Sequence, residues 1–286
     1  MAYLRFQKES LQLRLILTGK SGTGKSATGN TILETDKFKV RHPYSEKHGD
    51  EQAELQEKVF DDGMKVTVAD TPGFCNNYLE PETVALALVK CVDCFYPGPH
   101  TVLFVIQIKQ FDREDYEAFQ QLKAIFDKEV TKYVIIIFTG GDQLEEANVS
   151  IKQLLKEAPR QLSDILEDCD QRFVVFSNTS DNNRRSSEQL FTMVRDLNKR
   201  NLGVPFQTPF VKNLGDERER EGVAKRLKVF SLTQLERDEK LLKKDKQIQS
   251  EIDRPTVGSS VLRVSSAITG IATWLMLSIR STSDCF

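Results

Sequence analysis

At 286 residues the chain is long enough for one large domain with an appendage, or for two small domains. Its 39% hydrophobic content supports a sizeable core, and a net charge of −2 gives no general attraction to nucleic acid. Five cysteines in this length, with no secretory leader at Met1-Ala2-Tyr3-Leu4-Arg5, point to a reducing, cytoplasmic setting rather than a disulfide scaffold.

The first element is a strand over residues 11–18. There Leu11, Leu13 and Leu15 alternate with polar residues before the run turns apolar, as in a strand entering a covered sheet. It leads into Gly19-Lys20-Ser21-Gly22-Thr23-Gly24-Lys25-Ser26, which fits G-x-x-x-x-G-K-[ST], and then into a helix from Lys25 to Leu33. Strand, glycine-rich turn and helix come in the order a phosphate-cradling loop requires. Gly22 and Gly24 allow main-chain N–H groups to approach a phosphate without a Cβ in the way. The helix N-terminus adds positive potential. Lys25 is expected to reach the β- and γ-phosphates, and the Ser26 hydroxyl to ligate Mg²⁺. The motif therefore predicts a nucleoside di- or triphosphate ligand.

Residues 35–58 are polar and irregular, with Pro43 and Gly49, and read as a mobile loop. No threonine occurs between Asp36 and Met64 to close over a γ-phosphate. A strand from Met64 to Ala69 ends in Asp70-Thr71-Pro72-Gly73. An aspartate there can hold Mg²⁺ through water, and Gly73 can offer its N–H to the γ-phosphate.

A helix is expected over Pro81–Val92. Within it, Cys91-Val92-Asp93-Cys94 has metal-type spacing, but no second pair answers it and His100 is the only nearby histidine. A closed four-ligand zinc site is therefore not expected. Pro97-Gly98-Pro99-His100 breaks the chain before a buried strand, Thr101–Ile106. A helix over Asp112–Phe126 carries Phe119, Leu122, Ile125 and Phe126 at helical spacing. A second buried strand, Tyr133–Phe138, ends at Thr139-Gly140-Gly141-Asp142. Two helical stretches occupy 144–168, broken at Pro159; a short strand spans Phe173–Phe176, and a helix spans Ser187–Arg200. Strands alternating with helices call for an α/β fold with a mostly parallel sheet covered on both faces.

The Asp142 carboxylate can accept hydrogen bonds from guanine N1–H and N2–H₂, which adenine does not offer in that arrangement. Asn178, after the next strand, is placed to meet the base from another side. The order of these motifs favours guanine, and hence GTP or GDP with Mg²⁺.

Three stretches resemble the GIMAP family, the immunity-associated GTPases related to septins and plastid import GTPases. They are Gly19 to Asn30, Asp70-Thr71-Pro72-Gly73, and Pro97-Gly98-Pro99-His100-Thr101-Val102-Leu103-Phe104-Val105-Ile106-Gln107. The resemblance covers residues 11–205. It implies a P-loop GTPase three-layer fold, a nucleotide site formed by Ser21 to Ala27 with Gly73, Thr139, Asp142 and Asn178, and Mg²⁺ at Ser26 and Asp70. It also implies homo- or hetero-oligomers formed through the nucleotide face. The chain departs from the family in its missing switch threonine, and in Gly140 where the base motif usually has lysine. Phe74 stands where many small GTPases have a water-orienting glutamine. These departures predict nucleotide-controlled assembly with slow or partner-dependent hydrolysis; the alternative is a competent GTPase switch.

Residues 206–253 read as a linker and a charged helical extension with a thin apolar stripe, more simply a solvated helix than a coiled coil. Residues 254–286 form an apolar tail. Its segment 257–280 is expected to attach the chain to the cytosolic face of a membrane, although Arg263 interrupts the ~20 residues a span requires.

Overall fold

The computed structural model describes residues 12–40, 52–75, 79–95, 97–108, 111–177 and 180–207. Asn178, residues 41–51 of the 35–58 loop, the extension beyond residue 207 and the tail 257–280 lie outside the described residues.

Six strands form one sheet in the order β2-β3-β1-β4-β5-β6. They are β1 (Gln12–Thr18), β2 (Glu54–Val59), β3 (Lys65–Asp70), β4 (Thr101–Gln107), β5 (Val134–Thr139) and β6 (Phe173–Phe176). All neighbours pair in parallel except β2 and β3. The helices are α1 (Lys25–Leu33), α2 (Pro81–Cys94), α3 (Arg113–Phe126), α4 (Gly141–Glu146), α5 (Ile151–Lys156), α6 (Arg160–Asp168) and α7 (Ser180–Arg200).

The apolar runs divide themselves between two faces because successive strand side chains point opposite ways. Val102, Phe104 and Ile106 of β4 enter a core layer with Leu88 of α2, Phe119 and Leu122 of α3 and Ile165 of α6. Leu103 and Val105 enter the other layer, with Ile32 and Leu33 of α1 and Leu190 and Val194 of α7. The result is the expected three-layer α/β arrangement. Helix α3 is fixed at its start by a reciprocal cap, in which the Asp112 side chain accepts from the Asp115 N–H and the Asp115 side chain accepts from the Asp112 N–H.

The structure corrects the reading of residues 35–58 as wholly irregular, since 54–59 is an antiparallel edge strand. Its two faces are Glu54, Gln56, Lys58 and Leu55, Glu57, Val59, so neither is cleanly apolar and periodicity carries no signal. The available signal is Asp62-Gly63, a hairpin dipeptide: Phe60 N–H donates to Met64 O at 2.9 Å across that turn. Two further boundaries move. The region 144–168 holds parts of three helices, because Ser150 caps α5 as Pro159 precedes α6, and α7 begins at Ser180 rather than near Ser187.

The Pro97–His100 stretch lies at the end of the sheet opposite the strands' carboxyl ends. Buried Arg14 donates from its main-chain N–H to His100 Nδ1 at 3.0 Å and from Nε to Gly98 O at 2.7 Å. Phe206 N–H donates to Pro99 O at 2.8 Å, and its ring packs on Phe126 and Tyr133. The Pro97–His100 stretch thus closes the base of the domain.

Candidate functional site

Strand register decides what meets at the other end. Leu17 pairs with Asp70 and with Leu103, Gln107 with Thr139, and Thr139 with Phe176. The end of β3 is therefore level with Leu17 of β1, β4 and β5 run about three residues further, and the order reverses about β1, which is where an open α/β sheet leaves a crevice. The Gly19–Ser26 loop, Asp70–Gly73 and Thr139–Asp142 all issue from this edge.

The phosphate loop has the backbone the motif predicts. Gly22 and Gly24 have φ of 84° and 93°, the left-handed region that favours glycine, and Gly24 caps α1. A Cβ on Gly22 would meet nothing within 4 Å, so the glycine is required there by its φ rather than by crowding. Ser21 and Gly22 are exposed, and Ser26 and Ala27 lie half-buried in the first turn of α1.

Lys25 is only 8% exposed, and its Nζ donates to Lys20 O at 2.8 Å and Gly19 O at 3.4 Å. Two of its three donors thus end on the loop's own carbonyls, which fixes the ammonium at the loop's centre. Burial pushes its pKa down to about 8, against the pull of the Asp70 and Asp115 carboxylates.

Ser26 Oγ donates to Asp70 Oδ2 at 2.5 Å. With its proton committed to Asp70, the Ser26 oxygen keeps its lone pairs for a cation. A hydroxyl beside a carboxylate is an all-oxygen donor set of the kind Mg²⁺ takes when phosphates and water complete its shell.

Thr139 joins the base motif to the phosphate loop, its Oγ1 donating to Thr23 O at 2.7 Å. Gly140 has φ of 84° and caps α4, so the missing lysine is matched by a backbone geometry in which lysine would be strained. A Cβ on Gly141 would lie 2.8 Å from Val175 Cγ1, and this close packing seats α4 against the end of β6. Asp142 stands half-buried in the first turn of α4. Its predicted companion Asn178 is outside the described residues.

Three contributors to the site, all within the Gly19–Asn30 stretch, have no role in the sequence reading. Lys20 forms salt bridges with Asp112 and with Glu114 (2.8 Å) at the start of α3, 92 residues away from Lys20 at the nearer partner, a separation at which no local pattern gives a signal. Asn30 holds the chain beyond α1: its Nδ2 donates to Phe38 O and its Oδ1 accepts from Phe38 N–H, both at 2.8 Å. Gly29 makes room for the Phe38 ring, which a Cβ would meet at 2.7 Å. Gly29 and Asn30 thus anchor the chain that leaves α1 at Phe38. Phe74, expected in place of a water-orienting group, has its ring in the core at 1% exposure.

Comparison with known proteins agrees with this geometry. The chain matches the model of the AIG1 family over residues 13–225. It is 32% identical over 208 residues to Immune-associated nucleotide-binding protein 9 of Arabidopsis thaliana, covering 71% of this chain and 60% of that protein. With Immune-associated nucleotide-binding protein 1 of the same plant it shares 33% over 206 residues, covering 70% of this chain and 90% of that one. Among solved structures, a dimerization-deficient mutant of Toc33 from Arabidopsis thaliana aligns with a TM-score of 0.50 at 15% identity, covering 68% of this chain and 87% of the other. That likeness concerns the fold, a P-loop GTPase domain. The chain spans 60% of the length of the first relative and nearly all of the second.

Proposed function

The chain belongs to the AIG1 family, and on that premise we propose that it is a guanine-nucleotide-binding protein of the GIMAP type, holding GTP or GDP with Mg²⁺ and using the nucleotide to control assembly. The observation that carries this reading is the convergence of the phosphate loop, Asp70 and Thr139–Asp142 on one sheet edge, with Thr139 bonded directly to Thr23. Main-chain N–H groups of Gly22 to Ala27 bind the phosphates beside Ser21, whose own N–H donates to Phe74 O, and the third donor of Lys25 reaches a β- or γ-oxygen. Ser26 and Asp70 hold Mg²⁺, which neutralises phosphate charge when bound. Asp142 selects guanine, with Asn178 beside it. The names of the two plant relatives support a nucleotide ligand.

Hydrolysis is slow or partner-dependent. Phe74 supports this, because a ring committed to the core offers nothing to an attacking water, and positioning supplies much of phosphoryl-transfer catalysis. The competent-enzyme reading rests on the intact loop and Asp70. Single-turnover hydrolysis of GTP across protein concentrations separates the two. A rate that rises with concentration supports control by assembly through the nucleotide face, whereas rapid turnover in dilute monomer supports an autonomous GTPase. The apolar segment 257–280 is proposed to attach the assembled protein to a membrane.

A further inference from the structure

Strand β2 is the outer edge of the sheet, at its side rather than at the carboxyl ends that carry the Gly19–Ser26 loop. Main-chain groups along an antiparallel strand turn to alternate sides. Phe60 N–H turns towards Met64 O, and so, two residues at a time, the main-chain groups of Lys58, Gln56 and Glu54 turn towards β3. Those of Leu55, Glu57 and Val59 point outwards, and no strand among the described residues pairs with them. The edge is weakly protected. It is six residues long, holds no proline, and its single lysine is drawn to Glu34 at 2.6 Å.

Its side chains divide by face. Leu55, Glu57 and Val59 lie on the α2 side, where Leu55 is paired across from the core residue Ala69. Leu55 is 43% and Val59 64% exposed, while Glu57 is paired with Lys65 at 2.7 Å. Beside them a groove of about 390 Å³ opens between Ala53 and Leu55 of this edge and Leu86, Ala87 and Cys91 of α2. Glu54, Gln56 and Lys58 lie on the α1 side, with Gln56 Nε2 donating to Glu54 Oε1 at 2.8 Å.

An open edge can receive a second copy of itself in antiparallel pairing about a two-fold axis. Outward residues must meet outward residues, so the register shifts only in steps of two residues. One register centres on Gln56 and sets Glu54 opposite the partner's Lys58, with the reciprocal pair across the axis. It also sets the partner's Val59 beside Ala53, at the mouth of the groove, and brings the two Leu55 side chains together diagonally across the seam. A step one way opposes Glu57 to itself; a step the other way carries Lys58 past Glu54 to Gln52. Charge complementarity and the open groove select the same register.

We propose that β2 is a self-association edge, joining two copies of this chain into one continuous sheet through paired Glu54 and Lys58 and through Val59 seated in the partner's groove. This surface is separate from the nucleotide site, and pairing along it needs no nucleotide.

The test is sedimentation equilibrium on the full chain, with GDP and Mg²⁺ and again after their removal, and self-association is expected in both. Glu54→Lys turns two opposite-charge pairs into two like-charge pairs and should weaken the dimer about tenfold. Adding Lys58→Glu re-creates the complementarity and should return the affinity to within about threefold of wild type. Gln56→Cys supplies a readout on an otherwise unaltered edge. The axis brings its two copies to a Cα separation of about 4.5 Å, within the span of a disulfide, so mild oxidation should link the dimer there, as mapped on peptides. A wild-type chain that is monomeric without nucleotide would leave the edge to a different protein and overturn the proposal. So would a dimer indifferent to Glu54→Lys, a double variant no tighter than Glu54→Lys, or an oxidised Gln56→Cys chain lacking that link.

Discussion

Lys25 shows how burial sets the chemistry of a single side chain. Its ammonium is kept inside the loop by two carbonyls, and the cost of that burial brings its pKa down to about 8. Phosphate oxygens raise it again, so nucleotide binding above pH 8 requires uptake of a proton. Affinity is therefore expected to be flat below pH 8 and to weaken about tenfold between pH 7 and pH 9, measured by equilibrium titration. A dissociation constant that stayed level to pH 9 would mean that the Lys25 charge does not hold the phosphates. Asp142 carries the second residue-scale prediction. Loss of two charge-assisted hydrogen bonds in Asp142→Ala should weaken GDP by roughly two orders of magnitude while leaving ADP unchanged. Unaltered discrimination between guanine and adenine would show that another group reads the base. Residues such as these are legible in the sequence because their chemistry depends on local spacing. Lys20 and its acidic partners are not, because a salt bridge between distant segments leaves no periodic trace.

At the scale of elements, the long apolar strands and helix α3 are readable because each carries its own period. Edge strand β2 is not, since both of its faces mix polar and apolar residues. The Pro97–His100 stretch is readable as a break but not as a clasp, because its partners Arg14 and Phe206 come from the two ends of the domain. That clasp has a pH signature. Burial, and then the Arg14 guanidinium beside it, push His100 down to about 4 from its ordinary 6.5. The unfolded chain thus takes up this proton at a higher pH than the folded one. The His100 contribution is complete above pH 6.5 and is lost as pH falls towards 4, about 2 kcal/mol of it by pH 5. Asp115 works in the opposite sense, since burial raises it to about 6 and the folded state gains from its protonation as pH falls. Comparison with His100→Asn isolates the histidine. The stability gap between wild type and variant, from denaturant unfolding, should shrink by about 2 kcal/mol between pH 7 and pH 5. A gap independent of pH would mean that His100 is not held neutral by the clasp.

For the whole molecule, the family match at residues 13–225 covers the domain proposed to bind nucleotide, and attachment and assembly are likewise proposals. No helix among the described residues is long and apolar enough to cross a membrane, and the segment 257–280 lies outside them. Truncation after Asp253 tests its role. The full chain should remain with membranes through a carbonate wash and the truncated chain should not; equal solubility of both would end the attachment proposal. The central claim, that this fold holds a guanine nucleotide at the Gly19–Ser26 loop, is tested most directly by mass spectrometry of the nucleotide retained by the purified full-length protein, with Lys25→Ala beside it. The account predicts GDP or GTP, near one per chain, in the wild type and none in the variant. Adenine nucleotide, or guanine nucleotide retained equally by Lys25→Ala, would contradict it.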